Sequence, residues 1–422
     1  MDFETALASL FSAEGRQDPY PAYDALRTHG PMFQALDGRW FITTHALTNR
    51  LLRDPNLRVA DAADYDGFWP DWRENRGVAS IVQSMLQYNP PDHTRVRRAA
   101  AATFTARRVA ALRDVIASQA ADLIKAMPAE VEFMSAFAYP LPIGVICALL
   151  GVPDADRPWF RQRAADLTVV LEPISTDEEM RRADAAGRDL EDYFIGLIAE
   201  RQRSPQEDLT SALAATGSGL TGAELLANLV LLLVAGFETT TNLLGTGLRI
   251  LLDHPTHAAR LRADPELAPA YVEEILRYDS PVQLTTRFTS TPLDVGDSER
   301  LPSGAALTGL PSGAAPTGLP SGAAPTRLPG GAALTMLLGA ANRDPARYPD
   351  PHRFDPDRPA IQPVSFGGGA HYCLGAPLAR LEAQVAFPLL LTMLPRLALA
   401  GEPVLRDRLV LRGYAKLPIT TG

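Results

Sequence analysis

Hydrophobic and polar positions change rhythm along this chain. Near the N-terminus, Phe33-Gln34-Ala35-Leu36 and Arg39-Trp40-Phe41-Ile42-Thr43 read as two short strands around Asp37-Gly38, a strong hairpin signal. Residues 95–280 read as successive helices, broken at Pro153 and at Ser204-Pro205, and strand signals return after Pro281. The pattern predicts a mainly α fold with small β-sheets drawn from both chain ends. One large mixed domain over residues 1–422 suits it better than two separate ones.

The most apolar segment opens on Thr221-Gly222-Ala223-Glu224, a capping box, and runs from Leu225 to Leu252 with apolar residues on most sides. It should pass through the core. Its centre, Ala235-Gly236-Phe237-Glu238-Thr239-Thr240-Thr241, departs from the pattern. A glycine and three β-branched residues weaken a helix, and threonine hydroxyls can bond carbonyls one turn back. A local widening is expected there, opening a groove beside a planar cofactor. Taken alone, the residues also fit an ordinary buried helix with a polar kink.

A nine-residue tandem repeat fills residues 301–336: Leu301-Pro-Ser-Gly-Ala-Ala-Leu-Thr-Gly309, then near copies from Leu310, Leu319 and Leu328. Solenoid repeats are longer and bury a continuous face by stacking, which these Gly/Pro-rich units cannot do. Pro316 and Pro325 make the inner copies poor strand material. Ala332 to Leu338 are expected to hold the strand register, the first copy to return as an antiparallel neighbour, and residues near 310–327 to loop out on the surface.

Composition bounds the function. Of 422 residues, 46% are hydrophobic and 21% charged, which are globular values, and the net charge of −9 offers no general attraction to nucleic acid. The first residues have neither a basic nor an apolar signal region, and the run Leu229–Phe237 is too short to span a bilayer. Two cysteines, Cys147 and Cys373, argue for a reducing compartment without a disulfide framework. A soluble, cytoplasmic, monomeric protein with no membrane partner is expected.

Phe366-Gly367-Gly368-Gly369-Ala370-His371-Tyr372-Cys373-Leu374-Gly375 carries the chemistry. A glycine-rich turn delivers one cysteine to the start of an apolar helix, Ala376 to Leu391, with Pro377 suited to its first turn. The partial positive charge of a helix N-terminus stabilises a thiolate, and glycines let main chain approach the sulfur. Such a sulfur can be an axial ligand of haem iron. A sulfur-rich zinc site through His371 and Cys373 is a poorer reading, since only Cys147 remains as a second sulfur.

Phe366, Gly369, Cys373 and Gly375 match the haem-thiolate signature, and the chain resembles the cytochrome P-450 family over essentially its full length, most closely its soluble bacterial branch. The resemblance implies the cytochrome P-450 fold, haem b as cofactor and Cys373 as iron ligand, with Phe366, Gly367, Ala235 and Gly375 beside the cofactor. Ala235-Gly236-Phe237-Glu238-Thr239 is similar to the family's oxygen-binding helix, which makes Glu238 and Thr239 the acid–alcohol pair that delivers protons. Glu274-Ile275-Leu276-Arg277 resembles the ExxR pair, and Phe354-Asp355-Pro356-Asp357-Arg358 the segment supplying its third member, Arg358; this trio is expected to hold the haem loop. His93, Arg97, Arg287 and His371 match the positions that bind the two propionates. The substrate pocket by family position is Val234, Ala235, Val282, Leu284 and Thr285, with Tyr65, Phe68, Trp69 and Trp72 in a variable loop that either recognises substrate or packs down.

The implied activity is monooxygenation, inserting one atom of O2 into a C–H or C=C bond of a small organic substrate, by family precedent a natural-product intermediate. No flavin or nicotinamide motif is evident, so ferredoxin and ferredoxin reductase are the expected electron donors, steered by a cationic rim of Arg95, Arg98 and Arg380 near Cys373. Oxidative coupling or rearrangement without net oxygen insertion would use the same motifs. A haem sensor or carrier would have no need of the acid–alcohol pair.

Overall fold

The computed structural model describes residues 1–296 and 327–422. It is mainly helical with small sheets, as the sequence pattern predicts. Cα proximity groups the chain into two compact units. The first is Met1–Phe68, Leu276–Cys373 and Arg406–Arg412; the second is Trp69–Ile275, Leu374–Leu405 and Gly413–Gly422.

The first unit is built on a five-stranded sheet in the order Met32–Gln34, Trp40–Ile42, Ala333–Leu337, Leu284–Thr289, Leu57–Arg58. The expected hairpin is present, with Gly38 at φ +84° in its turn, the left-handed region that favours glycine. Alternation buries both faces of the sheet. Phe33 stacks on Phe41, centroids 5.3 Å apart, on the side of helices Phe3–Phe11 and Tyr20–Arg27. Trp40, Ile42, Leu334 and Met336 join a second apolar cluster. Ala333–Leu337 lies parallel to Trp40–Ile42 and antiparallel to Leu284–Thr289, so the last repeat copy holds the register assigned to it. Both edges of that strand are thus taken. The expectations for the first copy and for residues 310–326 lie outside the described residues. Arg327, grouped with the surface loop by the sequence reading, instead pairs with Asp294 in the two-stranded ladder Leu293–Asp294/Arg327–Leu328.

The second unit is a helical body around the long helix Gly222–Asp253. Thr221 and Glu224 form the predicted capping box: Glu224 N–H donates to Thr221 Oγ1 at 3.2 Å, and Thr221 N–H to Glu224 Oε2 at 2.8 Å. The predicted widening at 236–241 is absent, and the backbone stays α-helical throughout. Thr239 and Thr240 do bond carbonyls one turn back, Ala235 O at 3.0 Å and Gly236 O at 3.4 Å. Packing overrides the local weakness. Gly236 is there for contact: a Cβ would press on Ile146 Cδ1 at 2.9 Å, from helix Pro140–Leu150. Among the described residues this long helix alone is long and apolar enough to cross a membrane, and 67% of its most apolar window is buried within the fold, as in a core helix.

Candidate active site

Cys373 ends a stretch of irregular backbone in the first unit, and irregular backbone must find its hydrogen-bond partners individually. Gly367 N–H donates to Val364 O at 2.8 Å, Tyr372 N–H to Gly369 O at 3.1 Å, and Cys373 N–H to Phe366 O at 2.9 Å. Gly367 and Gly369 take φ +72° and +63°, and a Cβ on Gly369 would run into the Leu52 carbonyl oxygen. The glycines therefore serve two left-handed turns and a close backbone passage, a role beyond the approach to sulfur inferred from sequence. Gly375 caps the helix Ala376–Met393, with Pro377 in its first turn.

Two residues that sequence reasoning missed fasten this loop. Asn342, wholly buried, accepts from Val364 N–H at 2.8 Å and donates to Ser365 Oγ at 2.8 Å, while Ser365 Oγ donates to Leu276 O at 2.7 Å. The only signal was a polar residue directly after the strand Ala333–Leu337 and its apolar continuation.

Arg277, fully buried, donates to Asn342 O at 3.1 Å, Pro351 O at 3.0 Å and Arg353 O at 3.2 Å. Arg358 donates to Asp350 O at 2.6 Å and Arg353 O at 2.7 Å, and also to Pro349 O. Both guanidinium groups clamp the segment 349–353 through its carbonyls, and for Arg277 these are the several bonds a buried cation requires. Glu274, also fully buried, precedes Arg277 by three positions on the helix Ala268–Tyr278.

Arg287 sits on the strand Leu284–Thr289 and is a half-buried cation with an unusual environment. Its acceptors are neutral: Thr285 Oγ1 at 2.9 Å and Thr286 O at 2.8 Å. Burial strips water from the guanidinium and pulls its pKa down to about 10. No carboxylate pairs with it among the described residues. A half-buried cation without a protein counter-ion suits a bound anion. His371 and Phe366 lie half-buried in the cysteine loop, and Cys373 is exposed.

In the second unit, His93 (buried) and Arg97 (half-buried) stand one turn apart on the helix Asp92–Thr103. Glu238 is 1% exposed on the long helix. Around it, Ala235 is exposed and Gly236 and Thr239 half-buried, an accessible stripe in the middle of a helix otherwise almost wholly buried. That stripe has the width of one turn, which suits a flat group laid against the helix.

The structure bears on three further expectations. Val234 is buried in the apolar core of the second unit, Leu284 packs half-buried beside Phe33, Phe41 and Leu337 in the first, and Val282 packs half-buried against the cluster of Met32, Trp40 and Met336. The variable-loop aromatics split, since Trp72 is 1% exposed while Phe68 and Trp69 are exposed. The cationic rim is largely neutralised. Arg95 donates to Glu224 Oε1 at 2.5 Å, Asp92 Oδ1 at 2.9 Å and Gly219 O at 2.7 Å, and Arg380 pairs with Glu273. Arg95 in turn pulls the Glu224 carboxyl down to about 2.

A cysteine on a fastened glycine loop, a half-buried cation with no carboxylate beside it among the described residues, and an acid followed by an alcohol on a core helix suit a haem-thiolate protein. Comparison with known proteins agrees. The family model described as "Cytochrome P450" matches residues 160–313 and 325–395, more than half of the chain. The monooxygenase PikC of Streptomyces venezuelae is 37% identical over 98% of this chain and 92% of its own length. The 6-deoxyerythronolide B hydroxylase of Saccharopolyspora erythraea is 33% identical, covering 98% and 99%. The ligand-free crystal structure of Mycobacterium smegmatis CYP164A2 superposes with a TM-score of 0.81 at 36% identity, covering 99% of this chain and all of that one. This chain belongs to the cytochrome P450 family and is a P450 monooxygenase.

Proposed function

We propose that the protein binds haem b and inserts one atom of O2 into a C–H or C=C bond of a bacterial natural-product intermediate, with electrons from ferredoxin and ferredoxin reductase. The carrying observation is the loop that holds Cys373, fixed by Asn342 and Ser365 and followed at once by the helix Ala376–Met393. The residues fit the cofactor. Arg287 is a half-buried cation with an edge to spare, and Ala235, Gly236 and Thr239 leave one turn of the long helix uncovered.

Haem b, when bound, supplies the oxidative chemistry at its iron. Cys373 Sγ would hold the iron, with Phe366, Gly367 and Gly375 shaping the loop around the sulfur. Arg287 would hold a propionate by charge-assisted bonds, and by family position His371, His93 and Arg97 would share that role. Ala235 offers the cofactor a methyl group instead of a bulky side chain. Thr239 Oγ1 rests on Ala235 O, 3.0 Å away, so its proton has to turn from that carbonyl before it can be passed on. Glu238, buried one residue earlier, is the acid that would replace it. The catalytic cycle takes place in the cytoplasm of a monomer in this reading.

The test is turnover. Purified protein with a ferredoxin, its reductase and NADPH should convert those compounds that shift the Soret band from the water-bound to the water-free form. Mass spectrometry should find one added oxygen, labelled from 18O2. A product without added oxygen would instead support coupling or rearrangement, and reductant consumption independent of every compound would oppose an enzyme of either kind.

A further inference from the structure

The group that fixes Arg287 is a threonine two residues before it. Side chains alternate along the strand Leu284–Thr289, so Thr285 and Arg287 share one face, opposite Met336 and Leu334 on the neighbouring strand. Leu284 goes to the other face, against Phe33 and Phe41.

A guanidinium carries five N–H donors, two of them on Nη1. Arg287 Nη1 donates to Thr285 Oγ1 at 2.9 Å and to Thr286 O at 2.8 Å, which commits that corner completely. The Nε–Nη2 edge, the side-on fork that matches a carboxylate, has no acceptor among the described residues. We infer that Thr285 is a positioning residue for the cofactor: its hydroxyl anchors one corner of Arg287 so that the opposite edge is presented, already oriented, to a haem propionate. The inference rests on the haem reading above. It also moves Thr285 from the substrate pocket, where family position put it, to the cofactor cradle. With Oγ1 turned toward Arg287, the position has only a methyl group left for substrate.

Thr285→Val removes the hydroxyl at constant shape, and Thr285→Ser keeps it. The readout is the rate at which ferric protein surrenders haem to excess apomyoglobin. Thr285→Val should lose haem about tenfold faster, the loss of one hydrogen bond to a charged group. Thr285→Ser should restore the parent rate. Arg287→Lys should accelerate loss by itself, and adding Thr285→Val to it should change little, because the two act as one unit. This cycle remains decisive if one variant is poorly folded, since Ser and Lys are conservative. An unchanged rate in Thr285→Val, with the thiolate Soret band intact, overturns the positioning role and leaves the haem reading standing. A tenfold effect that persists in Arg287→Lys overturns it as well, because the hydroxyl then acts through another group. Failure of the parent protein to bind haem through thiolate would instead strike the underlying reading.

Discussion

The two stretches proposed to carry the chemistry are held in opposite ways. Residues 364–373 have one short 3₁₀ turn, Gly369–His371, and otherwise depend on scattered backbone bonds, on the buried side chain of Asn342 and on Ser365 Oγ donating to Leu276 O. The long helix satisfies its own backbone and is fixed by shape, with Gly236 against Ile146 and Gly247 against Phe387. A metal ligand has to stand at one point, which directional bonds can specify. A surface laid beside a flat cofactor has to be smooth and stiff, which a packed helix supplies. Polar substitutions should therefore damage the loop more than the helix, except where a helix side chain takes part in the chemistry.

The sharpest break is Cys373→Ser, which should abolish the red-shifted Soret band of the ferrous–carbon monoxide complex. Cys147→Ser should leave that band unchanged, because Cys147 is buried in the core of the second unit and its thiol is pushed up to about 12. The reverse pattern would transfer the ligand to Cys147. Next in size is Thr239→Ala, the polar exception on the helix. Haem content should stay near normal while electrons go to peroxide, and product per reductant should fall by a factor of about 10²–10⁴. Unaltered coupling would remove Thr239 from the proton path.

A matched pair sharpens the comparison further. Asn342→Ala strips the loop of its anchor and leaves Val364 N–H buried without its acceptor, at a cost of about 1–3 kcal/mol. The same kind of change on the helix should go the other way. Thr241 is fully buried and its hydroxyl has no hydrogen-bond partner among the described residues, so Thr241→Val should be neutral or slightly stabilising. Denaturant unfolding of both variants checks this. Equal destabilisation would mean that loop and helix are held by the same kind of force.

How much of this was legible in the sequence follows the same division. The hairpin at Asp37-Gly38, the capping box at Thr221 and Glu224 and the cysteine motif are local signals, and the chain adopts the structure each one implies. What escaped depends on partners distant in sequence. Asn342 and Ser365 are an ordinary asparagine and serine until the fold places them together, 23 positions apart. The helix centre was misjudged because Gly236 and three threonines lower helix propensity, whereas neighbours such as Ile146 favour the straight form. Arg95 as a docking charge failed similarly, since Glu224 lies 129 positions away. Leu284, a pocket position by family match, lies on the strand face that packs half-buried against Phe33 and Phe41.

The smallest effect expected belongs to the tandem repeat, and it tests which copy is structural. Leu293–Asp294 pairs with Arg327–Leu328, and Ala333–Leu337 occupies the sheet. Deleting Leu301 to Arg327 joins Arg300 to Leu328, which re-creates the Arg-Leu dipeptide that forms the second ladder. Leu328, 0% exposed, and the whole of the last copy stay in place. The match to the family model is itself interrupted at residues 314–324, within the repeat. Loop-closure entropy changes by about 0.6 kcal/mol per doubling of length, and the link between Asp294 and the ladder arginine shortens from 32 residues to 5, so the shortened chain should unfold within about 1.6 kcal/mol of the parent. It should also keep its thiolate Soret band. Deleting Leu310 to Met336 removes as many residues but keeps the first copy, and so sets Gly309 where Met336 stood. Met336 is 0% exposed and pairs across the sheet with Ile42 and Thr285, so this second deletion should cost about 2–5 kcal/mol. Denaturation midpoints and carbon monoxide spectra of the two variants decide the matter. If both fold equally well, the copies are interchangeable; if the first deletion loses haem, the surplus repeats belong to the working structure.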